Sequence, residues 1–422
     1  MTVEKAPRGP RTTARWVRWA VLAGVLMAIT ILGVLHQRLG IGKPVGVDAL
    51  CPFGGLETLG TLTVSATLVK RIALSSVLLL LAIVVTAFVF RRAFCGRICP
   101  LGYLQELFGG IGRRLFRKRP IVPAAIDRPA RFLKYGVLVG VLALTWATAE
   151  LIIRPYDPWA AYQHLSSPEV FVEFGVGVAV LGLSLAGSLV YDRFFCKYLC
   201  PMGAFLGLLS RFSVFKVRRR TDTCIDCKAC DKACPTNVTV STAGAVTSPE
   251  CIDCGECVAA CPVKDTLAFG TAKARRLTPT GAAVLSVATF TVLVGAATAA
   301  GWFDWTMPTL KEQMEDAGPL GQSPDASTSG SSDPSSAPID TSLIKGSTTV
   351  EEIVEATGVP AERFTQVYGI PASEQARALK DLKDTYGCTP GDVRAFVALY
   401  VSDPAAAAEY VAGSAHAEEE SH

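Results

Sequence analysis

Five apolar runs, at residues 20–35, 72–90, 135–153, 170–191 and 278–301, dominate the 422-residue sequence. A run of about 20 apolar residues can satisfy its own backbone inside a bilayer only as a helix. The chain is therefore expected to be mainly α and multi-pass, with about five transmembrane helices. Half of its residues are hydrophobic and only 18% are charged, against roughly 25% in soluble domains. The first run is the shortest, and Arg18 is expected to snorkel and lengthen it. No A-x-A-like site follows it, so it reads as an uncleaved helix rather than a signal peptide. A further apolar segment, 50–69, carries Pro52, Gly54, Gly55 and Glu57 and reads as re-entrant, packed on protein.

Charge sets the expected orientation. Residues 1–301 hold 34 Lys/Arg against 17 Asp/Glu, whereas 302–422 hold 7 against 20. The basic N-terminus (1–19) and the basic loops between the second and third runs and between the fourth and fifth go to the cytoplasm. Five crossings leave the acidic C-terminal part outside. Trp16 and Trp19 then lie at the inner interface, and Trp159, Trp302 and Trp305 at the outer one, as interfacial aromatics do. The expected location is the cytoplasmic membrane.

Twelve of the fourteen cysteines fall in four groups that end in Cys-Pro, a pattern of ligands more than of disulfides. Two groups, CIDCKACDKACP (224–235) and CIDCGECVAACP (251–262), are each C-x2-C-x2-C-x3-C-P. That is the run of the bacterial two-cluster ferredoxin, whose fourth cysteine serves the other cluster. It assigns Cys224, Cys227, Cys230 and Cys261 to one [4Fe–4S] cluster, and Cys251, Cys254, Cys257 and Cys234 to a second. Structural zinc sites are the alternative, but the C-x3-C-P ending disfavours them. Residues 218–270 are thus expected to be an α+β two-cluster ferredoxin inserted in the membrane domain (20–217) before the fifth helix (278–301). No catalytic constellation surrounds the cysteines, so the expectation is one-electron relay, as an electron-transfer subunit.

The other two groups are FCGRICPLG (94–102) and FCKYLCPMG (195–203). The prolines open the next helix at its first position, which makes Cys99 and Cys200 its N-caps. A helix N-terminus favours thiolate over thiol, as do the nearby Arg97 and Lys197. The outer loops DALCPFGGL (48–56) and DPWAAYQHL (157–165) precede each pair by one helix, so the unit occurs twice in the same orientation. Parallel repeats imply a pseudo-two-fold axis along the membrane normal. It would gather Cys95, Cys99, Cys196 and Cys200 at the inner face as one metal or thiol redox site; packing cysteines without a cofactor are the alternative.

Residues 16–276, with the twin FCxxxCP motifs and the inserted ferredoxin, resemble the NapH/NosR-type membrane polyferredoxins. The branch of cytochrome oxidase assembly proteins shares the motif pair. The resemblance implies electron transfer coupled to the quinone pool, as in a quinol dehydrogenase, with other redox proteins of a respiratory complex as partners. The chain departs from the NosR-like pattern in lacking a recognisable extracytoplasmic flavin domain, and from the NapH-like pattern in its fifth helix and C-terminal domain. Quinol oxidation needs a proton acceptor, and Glu150, Glu173, His36 and His164 map to the outer half of the membrane. Glu150 with Arg154 also reads as a helical ion pair, and His36 with His164 is the one histidine pair that could hold a haem. The alternative function is an assembly factor whose CxxxCP thiols reduce or transfer a metal such as copper.

Beyond the fifth helix, 302–347 reads as a flexible tether rich in Gly, Pro, Ser and Asp. A small four-helix domain follows (348–412), with an acidic tail (413–422). Its helices are expected to begin at a capping box from Thr348 to Glu351, at Pro360, at Ser373 and at Thr389-Pro390, with stops at Gly358, Gly369 and Gly387. An acidic extracytoplasmic module excludes nucleic acid as partner; its docking partner is not specified by sequence. Cys388 is expected as a small core residue, and both it and Cys51 lie outside, where a disulfide is permitted.

Overall fold

In the computed structural model the described residues are 9–38, 51–65, 74–116, 122–148, 153–167, 170–272, 276–303, 305, 310, 341–344, 346, 348–402, 407 and 410. Three helices are long and apolar enough to cross a membrane, over Thr13–Gln37, Ala125–Ala147 and Pro279–Ala299, and two shorter apolar helices span Leu74–Phe90 and Gly175–Val190. They occupy the five expected runs. The segment 50–69 is the helix Pro52–Ser65, laid against Leu74–Phe90 and Leu133–Thr148. Its Glu57 is 1% exposed and accepts a hydrogen bond from Thr145 Oγ1 at 2.9 Å.

The repeat is interlocked rather than side by side. Each helix that precedes a repeat's spanning helix, Pro52–Ser65 or Pro158–Gln163, packs on that spanning helix, Leu74–Phe90 or Gly175–Val190. Each helix that follows a cysteine pair packs on the other repeat. Pro100–Leu115 lies on Gly175–Val190, and Pro201–Leu209 lies on Leu74–Phe90 and Leu133–Thr148. The crossing brings the two motifs to one end of the bundle.

The insert is α+β. Strands β1 (Lys216–Arg219), β2 (Leu267–Gly270) and β3 (Arg276–Leu277) form an antiparallel sheet in that order, with Val217 opposite Phe269. Two short helices, Ala229–Lys232 and Glu256–Ala260, carry the third cysteine of each run, Cys230 and Cys257. Its core includes Val217, Val238, Val240, Val246, Val258 and Phe269. The backbone leaves Phe88 and Val89 of the spanning helix to pair directly with Val214 and Phe215, which fixes the insert to the membrane domain.

The C-terminal residues form a separate compact unit. Its helices are Val350–Thr357, Ala361–Tyr368, Leu379–Tyr386 and Pro390–Ser402. Gly358, Gly369 and Gly387 all cap in the left-handed region. Two expected boundaries shift. The capping box is Thr349 with Glu352, one residue later than expected, because Thr349 N–H reaches the Glu352 carboxylate at 2.9 Å. Ser373 lies in a 3-10 turn, Ala372–Glu374, and the third helix starts only after Ala378. Leu310 and Ile344, expected in the tether, are buried in this core with Phe364, Phe396 and Cys388; residues 311–340 and the tail fall outside the described residues. Phe364 is fully buried edge-on to Phe396, with ring centroids 5.6 Å apart. Phe364→Ala is therefore expected to cost about 3–5 kcal/mol. Pulse proteolysis of the intact protein should show this unit cleaved at lower denaturant, with iron content unchanged.

Candidate functional site

The two cysteine pairs end matching short helices, Ala93–Arg97 and Phe194–Tyr198. Cys99 and Cys200 are the N-caps of the helices that follow, with Pro100 and Pro201 at the first positions. Cys200 Sγ accepts a hydrogen bond from Gly203 N–H at 3.3 Å. Cys95 and Cys196 are buried, and Cys99 and Cys200 half-buried. Each of the four lies within electrostatic reach of others of the set, with Cys200 near all three. Gln105 binds the second motif to the first: its Nε2 donates to Cys196 Sγ at 3.2 Å, and its Oε1 accepts from Phe195 N–H at 3.0 Å.

The cations beside these sulfurs are Arg92 and Arg193, not the expected Arg97 and Lys197. The two hold equivalent places, three residues before the first cysteine of each pair. Each crosses to the other repeat. Arg193 Nη1 donates to the Cys95 carbonyl at 2.7 Å, and a Cβ on Gly102 would stand 2.9 Å from the same nitrogen. A Cβ on Gly203 would stand 2.7 Å from Arg92 Nη2. The glycine of C-P-x-G is thus the seat of the opposite arginine. Lys197 turns away, to Asp127 at 2.8 Å and over the Tyr191 ring at 4.0 Å.

Buried carboxylates balance the arginines. Glu106 is 6% exposed and receives Arg18 Nη2 on both oxygens at 2.6 and 2.7 Å, and Arg193 Nε at 3.0 Å. Burial alone would raise its pKa, but the Arg193 and Arg18 guanidiniums hold it below the usual carboxylate value. Arg18 therefore does not snorkel: it is 3% exposed and also donates to the Gly96 carbonyl at 2.7 Å. In the second repeat Gly207 replaces the glutamate. There the insert supplies Glu250, which pairs with Lys134 and lies 3.8 Å from Arg92.

The insert meets this site through its second cysteine loop. A Cβ on Gly96 would collide with the Ile252 carbonyl oxygen, so only glycine admits the loop there. Arg97 pairs with Asp253 at 3.2 Å, donates to Ser286 Oγ at 2.6 Å on Pro279–Ala299, and covers the Phe269 ring. Burial pushes the Asp253 carboxyl up to about 6, against the pull of Arg97 and Arg91.

The insert holds two cavities. One is lined by Cys234, Cys251, Cys254 and Cys257, with Val217, Val240 and Val246 behind them. The other is lined by Cys224, Cys227, Cys230 and Cys261. Each wall is four cysteines with apolar backing, a donor set that fits an iron–sulfur cluster. Among the described residues no three His, Cys, Asp or Glu side chains stand close enough to hold a single ion.

The thiolate expectation fails for the protein without a bound cation. Burial pushes the Cys99 thiol up to about 12, with the Cys196 and Cys95 sulfurs adding to it. Cys200 is likewise raised by burial. Desolvation here outweighs the cap and the arginines. Of the expected quinone residues, His164 and His36 are described. His164 ends the helix Pro158–Gln163, its Nδ1 is 2.8 Å from the Ala160 carbonyl, and its ring stacks on Phe174 at 4.2 Å. His36 lies in the last turn of Gly9–Arg38. Glu150 and the Glu173 side chain fall outside the described residues. Sequence reasoning passed over Arg92, Arg193, Glu106 and Glu250. The signal available was their density near the motifs, which reads as positive-inside charge.

Family models described as a 4Fe-4S binding domain match residues 72–119 and 174–220, one on each repeat, and a 4Fe-4S dicluster domain matches 216–262. YccM of Escherichia coli (strain K12), whose name ascribes it provisionally to electron transport, is 31% identical over 55% of this chain and 66% of its own length. Protein NirI of Paracoccus denitrificans is 30% identical over 45% of this chain and 28% of its own. The regulatory protein NosR of Pseudomonas aeruginosa is 29% identical over 34% and 20% respectively. The matched stretch thus spans 66% or less of the length of these relatives. No solved structure matches. Replacing Glu106 by Gln leaves two buried guanidiniums without their shared charge. It is expected to destabilise the protein by about 3–5 kcal/mol, read as a lower unfolding temperature in detergent; Gly102→Ala should move it in the same direction by displacing Arg193.

Proposed function

The chain belongs to the membrane polyferredoxins of the NapH/NosR type, and from that premise we propose that it relays single electrons between the membrane quinone pool and other redox proteins. The reading rests on one observation above the rest: two cavities, each lined by four cysteines, one of them seated on the twin-motif site. Cys224, Cys227, Cys230 and Cys261 hold one [4Fe–4S] cluster, and Cys251, Cys254, Cys257 and Cys234 the other. Bound there, such clusters supply reversible one-electron redox chemistry. Val217, Val238, Val240 and Val246 back the sulfurs of the second loop. The Gly96–Ile252 approach keeps the second loop in van der Waals contact with the first motif, so no gap separates them. The basic loops put the insert on the cytoplasmic side and the acidic C-terminal unit outside.

Cys95, Cys99, Cys196 and Cys200 form a further metal or thiol redox site between membrane and insert. Burial raises the pKa of the Cys99, Cys196 and Cys200 thiols; a bound metal cation would displace thiol protons, and Arg92 and Arg193 would then face the charge. The same set supports the second reading, a maturation factor. Soft thiols suit a metal such as Cu(I), which they would reduce or transfer after closing around it, since no three of them stand within single-ion distance among the described residues. The proton-handling residue on the quinone side is Glu57, a buried carboxylate in a re-entrant helix, in keeping with the functional character of intramembrane carboxylates. His36, His164, Glu150 and Glu173 stay as supporting candidates.

Two outcomes are expected. Cys257→Ser should remove about four irons per chain while leaving the other cluster's spectrum, and Glu57→Gln should slow quinol-linked reduction about tenfold or more at unchanged iron content. The double change C95S/C196S separates the readings. Loss of quinone coupling with metal handling intact supports the relay. Loss of metal reduction with intact quinone coupling supports the maturation factor and overturns the relay through this site.

A further inference from the structure

The two cysteine loops of the insert open with the same tetrapeptide, Cys-Ile-Asp-Cys, at 224–227 and 251–254. Their backbones agree. Asp226 and Asp253 have φ of 48° and 56°, and Lys228 and Gly255 have 54° and 80°. Their surroundings do not. Ile252 is 2% exposed, because its loop is seated on Gly96 and Arg97. Ile225 is 52% exposed, Cys227 is exposed, and the Asp226 side chain, 76% exposed, reaches Arg219 only at 3.6 Å. A surface that buries an isoleucine and an aspartate within the chain is therefore bare on its twin.

The bare loop is basic. Arg220, Lys228 and Lys232 are exposed and Arg219 half-buried, with Asp222 and Asp226 as the exposed acids. Asp231 does not count against them: its carboxylate is turned inward, accepting from Val240 N–H at 2.6 Å and Ser241 Oγ at 2.5 Å. The second loop offers no comparable face, since Ile252, Asp253 and Cys257 are buried.

We propose that the first cysteine loop, centred on Ile225 and Cys227, is the docking face for an acidic one-electron carrier protein. This rests on the two-cluster relay proposed above. Ile225 supplies the apolar contact that Ile252 makes internally, and the basic rim steers the carrier. One electron crosses the contact. The carrier is oxidised by one electron as this protein is reduced by one, or the reverse, and no bond is made or broken.

The test is stopped-flow mixing of the intact protein in nanodiscs with a photoreduced acidic flavodoxin. The rate is expected to fall about tenfold or more from low to high salt. I225D and K232E should each slow it about tenfold at low salt, with iron content and reduction by methyl viologen unchanged. If I225D sheds iron, K232E, whose side chain lines neither cavity, decides alone. A full iron complement with salt-independent rates, or an equally fast reaction with a basic cytochrome, overturns this proposal alone. A wild-type protein that holds no iron overturns the two-cluster reading and this proposal with it.

Discussion

Two arginines that exchange places between the halves of a repeat hold the cysteine-motif end of this protein together. Arg92 and Arg193 each leave their own cysteine pair and lie over the glycine of the other C-P-x-G turn. A guanidinium buried to 1% exposure or less is costly unless charge and hydrogen bonds answer it. Such pairs add little stability over an apolar core, but they penalise every arrangement that leaves one partner alone. Here they make the interlocked repeat the arrangement in which both charges are met. The carboxylates that meet them come from different places: Glu106 from the first repeat, Glu250 from the insert. Folding of the insert and closure of the membrane repeat are thereby coupled.

That asymmetry makes the two cysteine loops unequal. Gly96 and Gly207 leave room for the insert's backbone, at Ile252 and Pro249 respectively. The second cysteine loop is pressed on the twin motifs, and the first is left to solvent. Electron tunnelling is short-ranged, so in the proposed relay the covered loop would be the one nearer the twin motifs and the exposed loop the one nearer soluble partners. Burial raises the pKa of the Cys99, Cys196 and Cys200 thiols of the twin motifs. Their chemistry is therefore set by what binds them more than by the helix ends they cap.

Features carried by local chemistry were legible in the sequence. The apolar runs, the prolines that make Cys99 and Cys200 N-caps, and the glycine stops of the C-terminal unit depend on neighbours within a few residues. The cysteine spacing likewise suggested two sets of four, and two four-cysteine cavities exist. Features made by partners far apart in sequence were not legible. Arg18 looked like a snorkelling residue, because nothing near it announces Glu106, 88 residues away. Arg97 looked like a thiol's neighbour, but its partner is Asp253. Thiolate character was inferred from local dipoles and cations, and desolvation by the assembled fold reversed it. Glu57 was noted only as a polar interruption, since its burial depends on Thr145 in another helix.

The central claim is that the membrane and the two cysteine cavities form one electron circuit. The most direct measurement is anaerobic electron paramagnetic resonance of the dithionite-reduced protein in nanodiscs, before and after addition of a short-chain quinone. The account predicts reduced iron–sulfur signals that disappear when the quinone is added. Signals that persist unchanged in its presence, with iron content intact, would contradict it.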